Sequence, residues 1–200
     1  MSYIFDPYKF DYKQYMLEHY NLTESPARIR DVEYTRNNAL LNSASAVQVI
    51  EQSTLMGDYQ YGSFTFDLYK LEEGDDIFYN LLEKKHPFIY LNHDIEKTEL
   101  NGMNGVISRD VWNWKSTPGL ARLWMFDYIL PKHDFIMSDI VHTSKGERFW
   151  NSLLKEALSK NLMCGVINMK FKKIIPIDDV DNFEQWYDEN KKDYQFIIFK

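Results

Sequence analysis

The stretch VISRDVWNWKSTPGLA, residues 106–121, runs without a break into RLWMFDYILPKH, residues 122–133. Its reading decides the fold. Val106–Trp114 has the β-branched and aromatic content of a strand. Alternation puts Val106, Ser108, Asp110, Trp112 and Trp114 on one face and Ile107, Arg109, Val111 and Asn113 on the other. Ser116-Thr117-Pro118-Gly119 is a turn, and Gly119–Leu130 follows as a helix with Leu120, Leu123, Trp124, Tyr128 and Ile129 on its apolar side. Pro131 is expected to end that helix. A strand feeding a helix through a short turn aims free backbone N–H groups, and the positive end of the helix dipole, at whatever lies beyond the strand. That is the geometry of an anion site.

The chain supports a large core around this junction. It has 200 residues, 44% hydrophobic and 16% aromatic, unlike a disordered chain. The formal charge of −7 lacks the basic footprint of sequence-independent nucleic-acid binding. Cys164 is the single cysteine, so no intrachain disulfide forms, and its apolar surroundings (Leu162–Ile167) read as a core thiol. The start, MSYIFDPYKFDYK, has no basic region followed by an apolar core, and no apolar run approaches the ~20 residues of a membrane span. The expectation is a soluble, cytoplasmic protein with no membrane contact.

Outward from the junction, the N-terminal side reads as mixed structure. Residues 1–30 form a Tyr-rich arm with a helix around Tyr12–Tyr20. Such an arm either packs on its own domain or binds a partner, since Tyr is enriched at interfaces. Residues 31–55 read as helical, with Gly57 and Gly62 framing a turn. Ser63–Leu71 is a strand, Glu72–Asp76 an acidic turn, Ile77–Lys85 a short helix and Pro87–Asn92 a second strand. His93–Asn104 is a polar hairpin connection or an exposed strand pair.

The C-terminal side alternates. Asp134–Val141 is a strand, Thr143 and Ser144 are N-cap candidates, and Gly146–Leu162 is a helix with Phe149, Trp150, Leu153, Leu154, Ala157 and Leu158 on one stripe. Met163–Met169 and Lys172–Ile177 are strands, Asp178–Asn190 a helix and Tyr194–Phe199 a terminal strand, free to pair across a homodimer. The expected fold class is α/β (α+β): one domain over residues 31–200, with a mixed, mostly antiparallel sheet of about six or seven strands flanked by helices.

The order strand, Ser116-Thr117-Pro118-Gly119-Leu120-Ala121, helix, strand, helix, strand resembles the acyl-CoA-binding half of the GNAT superfamily of N-acetyltransferases. Gly119 and Ala121 stand at the last two fixed positions of that family's Gln/Arg-x-x-Gly-x-Gly/Ala loop, and Ser116 at the first. DVWNWKSTPGLARLWMFDYILPKHDFIMSD and HTSKGERFWNSLLKEAL resemble divergent bacteriophage-encoded members. The resemblance covers residues 60–200 and is strongest over 105–160.

It implies acetyl-CoA as co-substrate, direct acyl transfer to an amine acceptor, and no metal. In that family the strand before the loop splays from the next, and the pantetheine arm pairs with strand backbone in the gap. Val111, Trp112 and Asn113 would supply that backbone. The N–H groups of Thr117, Gly119, Leu120 and Ala121 would hold the pyrophosphate; Pro118 has none to offer. For the base, Asp110 is one candidate, and Asp139 with His142 at the end of the next strand is another. The family's helix Tyr that faces the leaving thiolate has no counterpart in Gly146-Glu147-Arg148-Phe149-Trp150, and Tyr128 lies in the preceding helix. A second function therefore stands beside the first: a GNAT-fold phage protein without chemistry that binds a host or virion protein, through residues 1–20.

Plainer readings exist for the remaining features. Lys170, Lys172 and Lys173 suit a lysine-guarded edge strand. Asp139 and His142 fall on opposite strand faces with no third metal ligand. His86, His93 and His133 read as turn residues.

Overall fold

A computed structural model describes residues 45–84, 88–113, 117–139, 144–168, 170–171, 173–178 and 194–200. The Tyr-rich arm, residues 31–44, Trp114, Ser116, His142, Thr143 and all but the first residue of the predicted 178–190 helix lie outside them. The described residues contain nine strands, two more than the upper expectation. They are β1 (Thr54–Tyr61), β2 (Phe64–Glu73), β3 (Asp76–Glu83), β4 (Ile89–Leu100), β5 (Met103–Asn113), β6 (Phe135–Ser138), β7 (Cys164–Asn168), β8 (Lys173–Ile177) and β9 (Tyr194–Phe199). Helical segments are α1 (45–52), α2 (Leu120–Trp124) and α3 (Ser144–Ser159). The fold is mixed α+β with a largely antiparallel sheet and flanking helices.

Contacts divide the chain into two compact units. The first comprises residues 1–70 and 80–90. There β1 and β2 pair antiparallel, and the register steps from Leu55↔Tyr69 to Gly57↔Leu68, leaving Met56 as the extra residue of a bulge. Gly57 holds φ 127° at that bulge, so it lies inside a strand and not in the turn expected of it. Ala46, Leu82 and Ile89 form a small core with Val49 and Tyr69 against it. Phe66, Tyr90 and Phe88 lie in a row, Tyr90 tilted against Phe66 at 5.1 Å and edge-on to Phe88 at 5.3 Å. Where the sequence predicts a helix over Ile77–Lys85, Ile77–Glu83 belongs to strand β3 instead. Tyr79, Asn80, Leu81 and Leu82 are all buried in β3, and a strand covered on both faces loses the alternation that marks strands in sequence.

The second unit, residues 71–79 and 91–200, holds the junction. Its strands run in the order β4-β5-β6-β9-β7-β8. β4 and β5 form a hairpin whose Leu100↔Met103 register leaves a two-residue loop, Asn101 (φ 52°) and Gly102 (φ 81°). Two left-handed residues are what the tightest hairpin turn requires, and Asn-Gly supplies them at least cost. Thus His93–Asn104 belongs to a strand pair, but not an exposed one, since His93, Ile95 and Leu100 are buried. β5 and β6 are parallel; β9 then inserts antiparallel between β6 and β7. β9 pairs with β6 on one side and β7 on the other, so its terminal position in sequence does not make it an edge strand.

One face of this sheet gathers Leu100, Phe135, Met137, Ile167, Ile197 and Phe199, with Met103, Ile107 and Ile174 packed against them. The alternate residues Val106, Ile136, Cys164, Val166, Phe196 and Ile198 are buried on the other. α3 turns Trp150, Leu153, Leu154 and Ala157 inward, and Trp150 stacks on Phe196 at 6.5 Å. The helix after the junction is not uniform. α2 passes into a π-helical turn, Met125–Ile129, and a 3-10 turn, Leu130–Lys132, that contains Pro131. A proline ring cannot fit over the carbonyl four residues back, and loosening the preceding turn removes that clash. Pro131 is thus accommodated within the last turn, which ends at Lys132.

Candidate functional site

β5 carries a bulge that the sequence pattern does not reveal. Its register to β4 steps from Ile95↔Ser108 to Asp94↔Asp110, so Arg109 has no opposite residue. One inserted residue reverses the facing of everything beyond it. Val106 and Ser108 are buried, whereas Asp110 and Trp112, expected on their face, are exposed. Arg109 is held on the outer side by Glu96 (Nη2–Oε2, 2.6 Å) and Asp76 (Nη1–Oδ1, 2.8 Å).

The β5–β6 ladder covers Gly105↔Phe135 to Ser108↔Ser138 and ends there with β6, while β5 runs on to Asn113 paired with β4. The two parallel strands therefore share four register pairs, and β5 projects five residues past them at about 3.3 Å each. Ser138 closes β6 against β9: its Oγ accepts the Phe196 N–H at 2.9 Å, and its carbonyl accepts from Gln195 Nε2 at 2.5 Å.

Thr117–Gly119 lead into α2. The Asn113 Nδ2–H donates to the Thr117 carbonyl at 2.9 Å, and the Leu120 N–H donates to the same carbonyl at 3.2 Å. This one oxygen of buried Thr117 ties the end of β5 to the start of the helix. Gly119 holds φ 84°, ψ −5° at the helix entry, a left-handed conformation that favours glycine. Of the expected N–H donors, Leu120 is engaged internally, and the Asn113 side-chain amide is directed to the Thr117 carbonyl. Val111 lies opposite His93 and Trp112 opposite Asn92; Ala121 is buried in α2.

Asp110 lies opposite Asp94 on the outer face. Burial raises the Asp94 carboxyl above the ordinary carboxylate range; Arg109 opposes that rise, and Asp76, Asp110 and Glu96 add to it. Asp94 Oδ1 is buried with no hydrogen-bond partner. Asp139 follows β6, half-buried, its carbonyl accepting from Ser138 Oγ at 2.9 Å. The described residues do not bring Asp110 and Asp139 together by any hydrogen bond.

Beneath β5 lies a buried polar chain that sequence reasoning missed. His93, expected in a turn, is fully buried in β4. Trp124 Nε1 donates to His93 Nδ1 at 3.1 Å, and His93 Nε2 lies 2.9 Å from Ser108 Oγ. An indole nitrogen only donates, so Nδ1 must carry the lone pair. Burial pushes the imidazole pKa down to about 3, so the ring is neutral and its one hydrogen sits on Nε2, donating to Ser108. Trp124 is itself fixed by a stacked Tyr128 at 4.2 Å and an edge-on Tyr79 at 5.5 Å. The alternation of Asn92, His93 and Asp94 hid this. Only the odd-position pattern Leu91, His93, Ile95 would have marked His93 as inward.

No group of three or more metal-ligating side chains occurs among the described residues. No helix among them is long and apolar enough to cross a membrane. The chain matches no family model, and no curated protein or solved structure is significantly similar to it.

Proposed function

We propose that this chain is an acetyl-CoA-dependent N-acyltransferase of the GNAT type, of the divergent kind found in bacteriophages. The observation that carries the reading is the fork: the β5–β6 ladder stops at Ser108↔Ser138 while β5 continues to Asn113, and a left-handed Gly119 opens a helix just beyond. The projecting edge of β5 suits an extended arm bearing amides, and a helix entry with a glycine suits a phosphate group.

Within this reading, Val111, Trp112 and Asn113 bind the arm, and Thr117, Gly119 and Ala121 approach the phosphates. The co-substrate supplies an activated acyl carbon. The acceptor nitrogen bonds to it, the C–S bond breaks, and sulfur leaves as thiolate with the electron pair. The nitrogen's proton goes to a carboxylate. Asp110 is the first candidate for that role and Asp94, with its raised pKa and unpartnered oxygen, the second. Asp139 and His142 remain the alternative base pair.

A protein-binding role without chemistry is favoured by one observation: the Leu120 N–H is engaged by Thr117 and Pro118 has none, so two positions of the loop offer no donor. Calorimetric titration with acetyl-CoA and CoA separates the two. Micromolar binding that is lost in Gly119→Asp supports the acyltransferase. Absence of binding at millimolar concentration overturns it and leaves the search to partner capture, with and without residues 1–20.

A further inference from the structure

The turn between β7 and β8 leads into the outermost strand of the sheet. Asn168↔Lys173 is the last register pair, and Lys170 and Phe171 lie in the turn beyond it. Phe171 is 70% exposed, more than any other large apolar side chain among the described residues. Lys170 and Lys173 are exposed beside it, and the Lys170 ammonium lies 5.5 Å from the centre of the Phe171 ring. Met169–Lys173 holds three lysines and no acid, in a chain of net charge −7. Lysines suffice to guard an edge strand, but that role does not account for a phenylalanine held in water among them. Nor is the turn unsupported. Buried Asn168 accepts through Oδ1 from the Lys170 N–H at 3.1 Å and from the Phe171 N–H at 3.2 Å. The Phe171 and Lys170 side chains are thereby presented outward on backbone whose own N–H groups are satisfied.

We infer that this turn docks on an anionic lipid surface, with the Phe171 ring entering the interface and the ammonium groups of Lys170 and Lys173 meeting headgroup phosphates. An apolar tip with basic flanks is the combination that such a surface attracts. The contact is peripheral and reversible, and it departs from the expectation of no membrane contact drawn from the sequence. It stands apart from the acyltransferase reading. Two observations favour lipid over a nucleic-acid strand, which also carries phosphates. A strand draws on backbone N–H donors for its phosphates, and those of Lys170 and Phe171 are both spent on Asn168. A strand also runs on past one turn, along a chain whose net charge repels it, whereas a planar surface need meet only the turn. The acids that follow in sequence begin at Asp178, past the far end of β8. Five strand residues at about 3.3 Å each separate them from the turn, roughly twice the screening length in physiological salt.

The test is co-sedimentation of the full chain with vesicles of phosphatidylcholine, with and without phosphatidylserine. Wild type is expected to sediment with the mixed vesicles at low salt, to be released as salt rises, and to leave pure phosphatidylcholine largely unbound. Phe171→Ala should lower partitioning about tenfold, and Phe171→Trp should restore it, since Trp favours the membrane interface. Lys170→Gln and Lys173→Gln should each lower it about fivefold. Lys155→Gln, at an exposed position on α3, should leave it unchanged. All of these side chains are exposed, so unchanged urea midpoints are expected and show that the variants fold. Failure of wild type to sediment with the mixed vesicles at low salt overturns the inference. So does partitioning that is indifferent to Phe171→Ala, or that falls equally with Lys155→Gln. Binding of a single-stranded oligonucleotide that is lost in Phe171→Ala, without vesicle binding, would assign the turn to nucleic acid and overturn it as well.

Discussion

The ring of Phe135 lies directly over the α-carbon of Gly105. The two are register partners across the parallel β5–β6 pair, and a β-carbon added at Gly105 would run into three ring atoms. Phe135 is fully buried and packs against Phe199 at 6.0 Å, so it has no room to swing away. Gly105→Ala is therefore expected to destabilise the protein by about 1–3 kcal/mol, read as a lower urea midpoint. Adding Phe135→Leu should recover part of the loss, because the clash depends on the ring. Independent, additive effects of the two substitutions would contradict this.

Cys164 is expected to be inert in the folded protein. It is buried in β7 between β8 and β9, and burial pushes its thiol up to about 11. At pH 8 its thiolate fraction should make alkylation on the order of a hundredfold slower than for a free thiol. Iodoacetamide labelling followed by mass spectrometry, with and without denaturant, measures the ratio. Labelling at the free-thiol rate without denaturant would show that β7 is not packed as described.

Cys164 sits in Leu162–Ile167, and that apolar run announces a core strand. α3 was legible too, because a helix with one buried stripe repeats Trp150, Leu153, Leu154 and Ala157 at helical spacing. β3 was not, because burial of both faces erases the period that distinguishes strand from helix. The bulge at Arg109 was invisible for another reason. A register step is a property of two strands, and neither sequence alone contains it. The candidate site inherits both kinds of legibility. The loop Thr117–Ala121 could be read from its residues, whereas His93, Ser108 and Trp124 come together only through the β4–β5 register and the helix that follows.

Arg109 supports the outer side of the bulge, and its ion pairs with Glu96 and Asp76 are more than a third exposed. Exposed pairs contribute little, so Arg109→Ala should cost less than about 1 kcal/mol, and the cost should shrink further in 1 M salt. The Asp94 carboxyl should respond more clearly. Arg109 is the group that lowers its pKa against burial and three neighbouring acids. Removing Arg109 should move the Asp94 titration upward, followed by NMR of the side-chain carboxyl carbon. A downward shift would contradict the arrangement around the bulge.

His93 should make stability fall in acid over a defined range. Its pKa is lowered from 6.5 to about 3 in the folded chain by burial. Above pH 6.5 neither state holds the proton. Below that pH the unfolded chain takes one up and the folded chain does not, so unfolding becomes more favourable as pH falls. The contribution has a limiting slope of about 1.4 kcal/mol per pH unit and levels off once pH passes below about 3. Protonation there would also set a hydrogen on Nδ1 against the Trp124 N–H, two donors face to face. His93→Gln keeps an acceptor for Trp124 and a donor for Ser108 but does not titrate. Subtracting its urea-derived stability from that of wild type at each pH removes the carboxylates common to both. The difference should favour wild type progressively less from pH 6.5 down to 4, and a flat difference over that range would mean that His93 is not held neutral beneath β5.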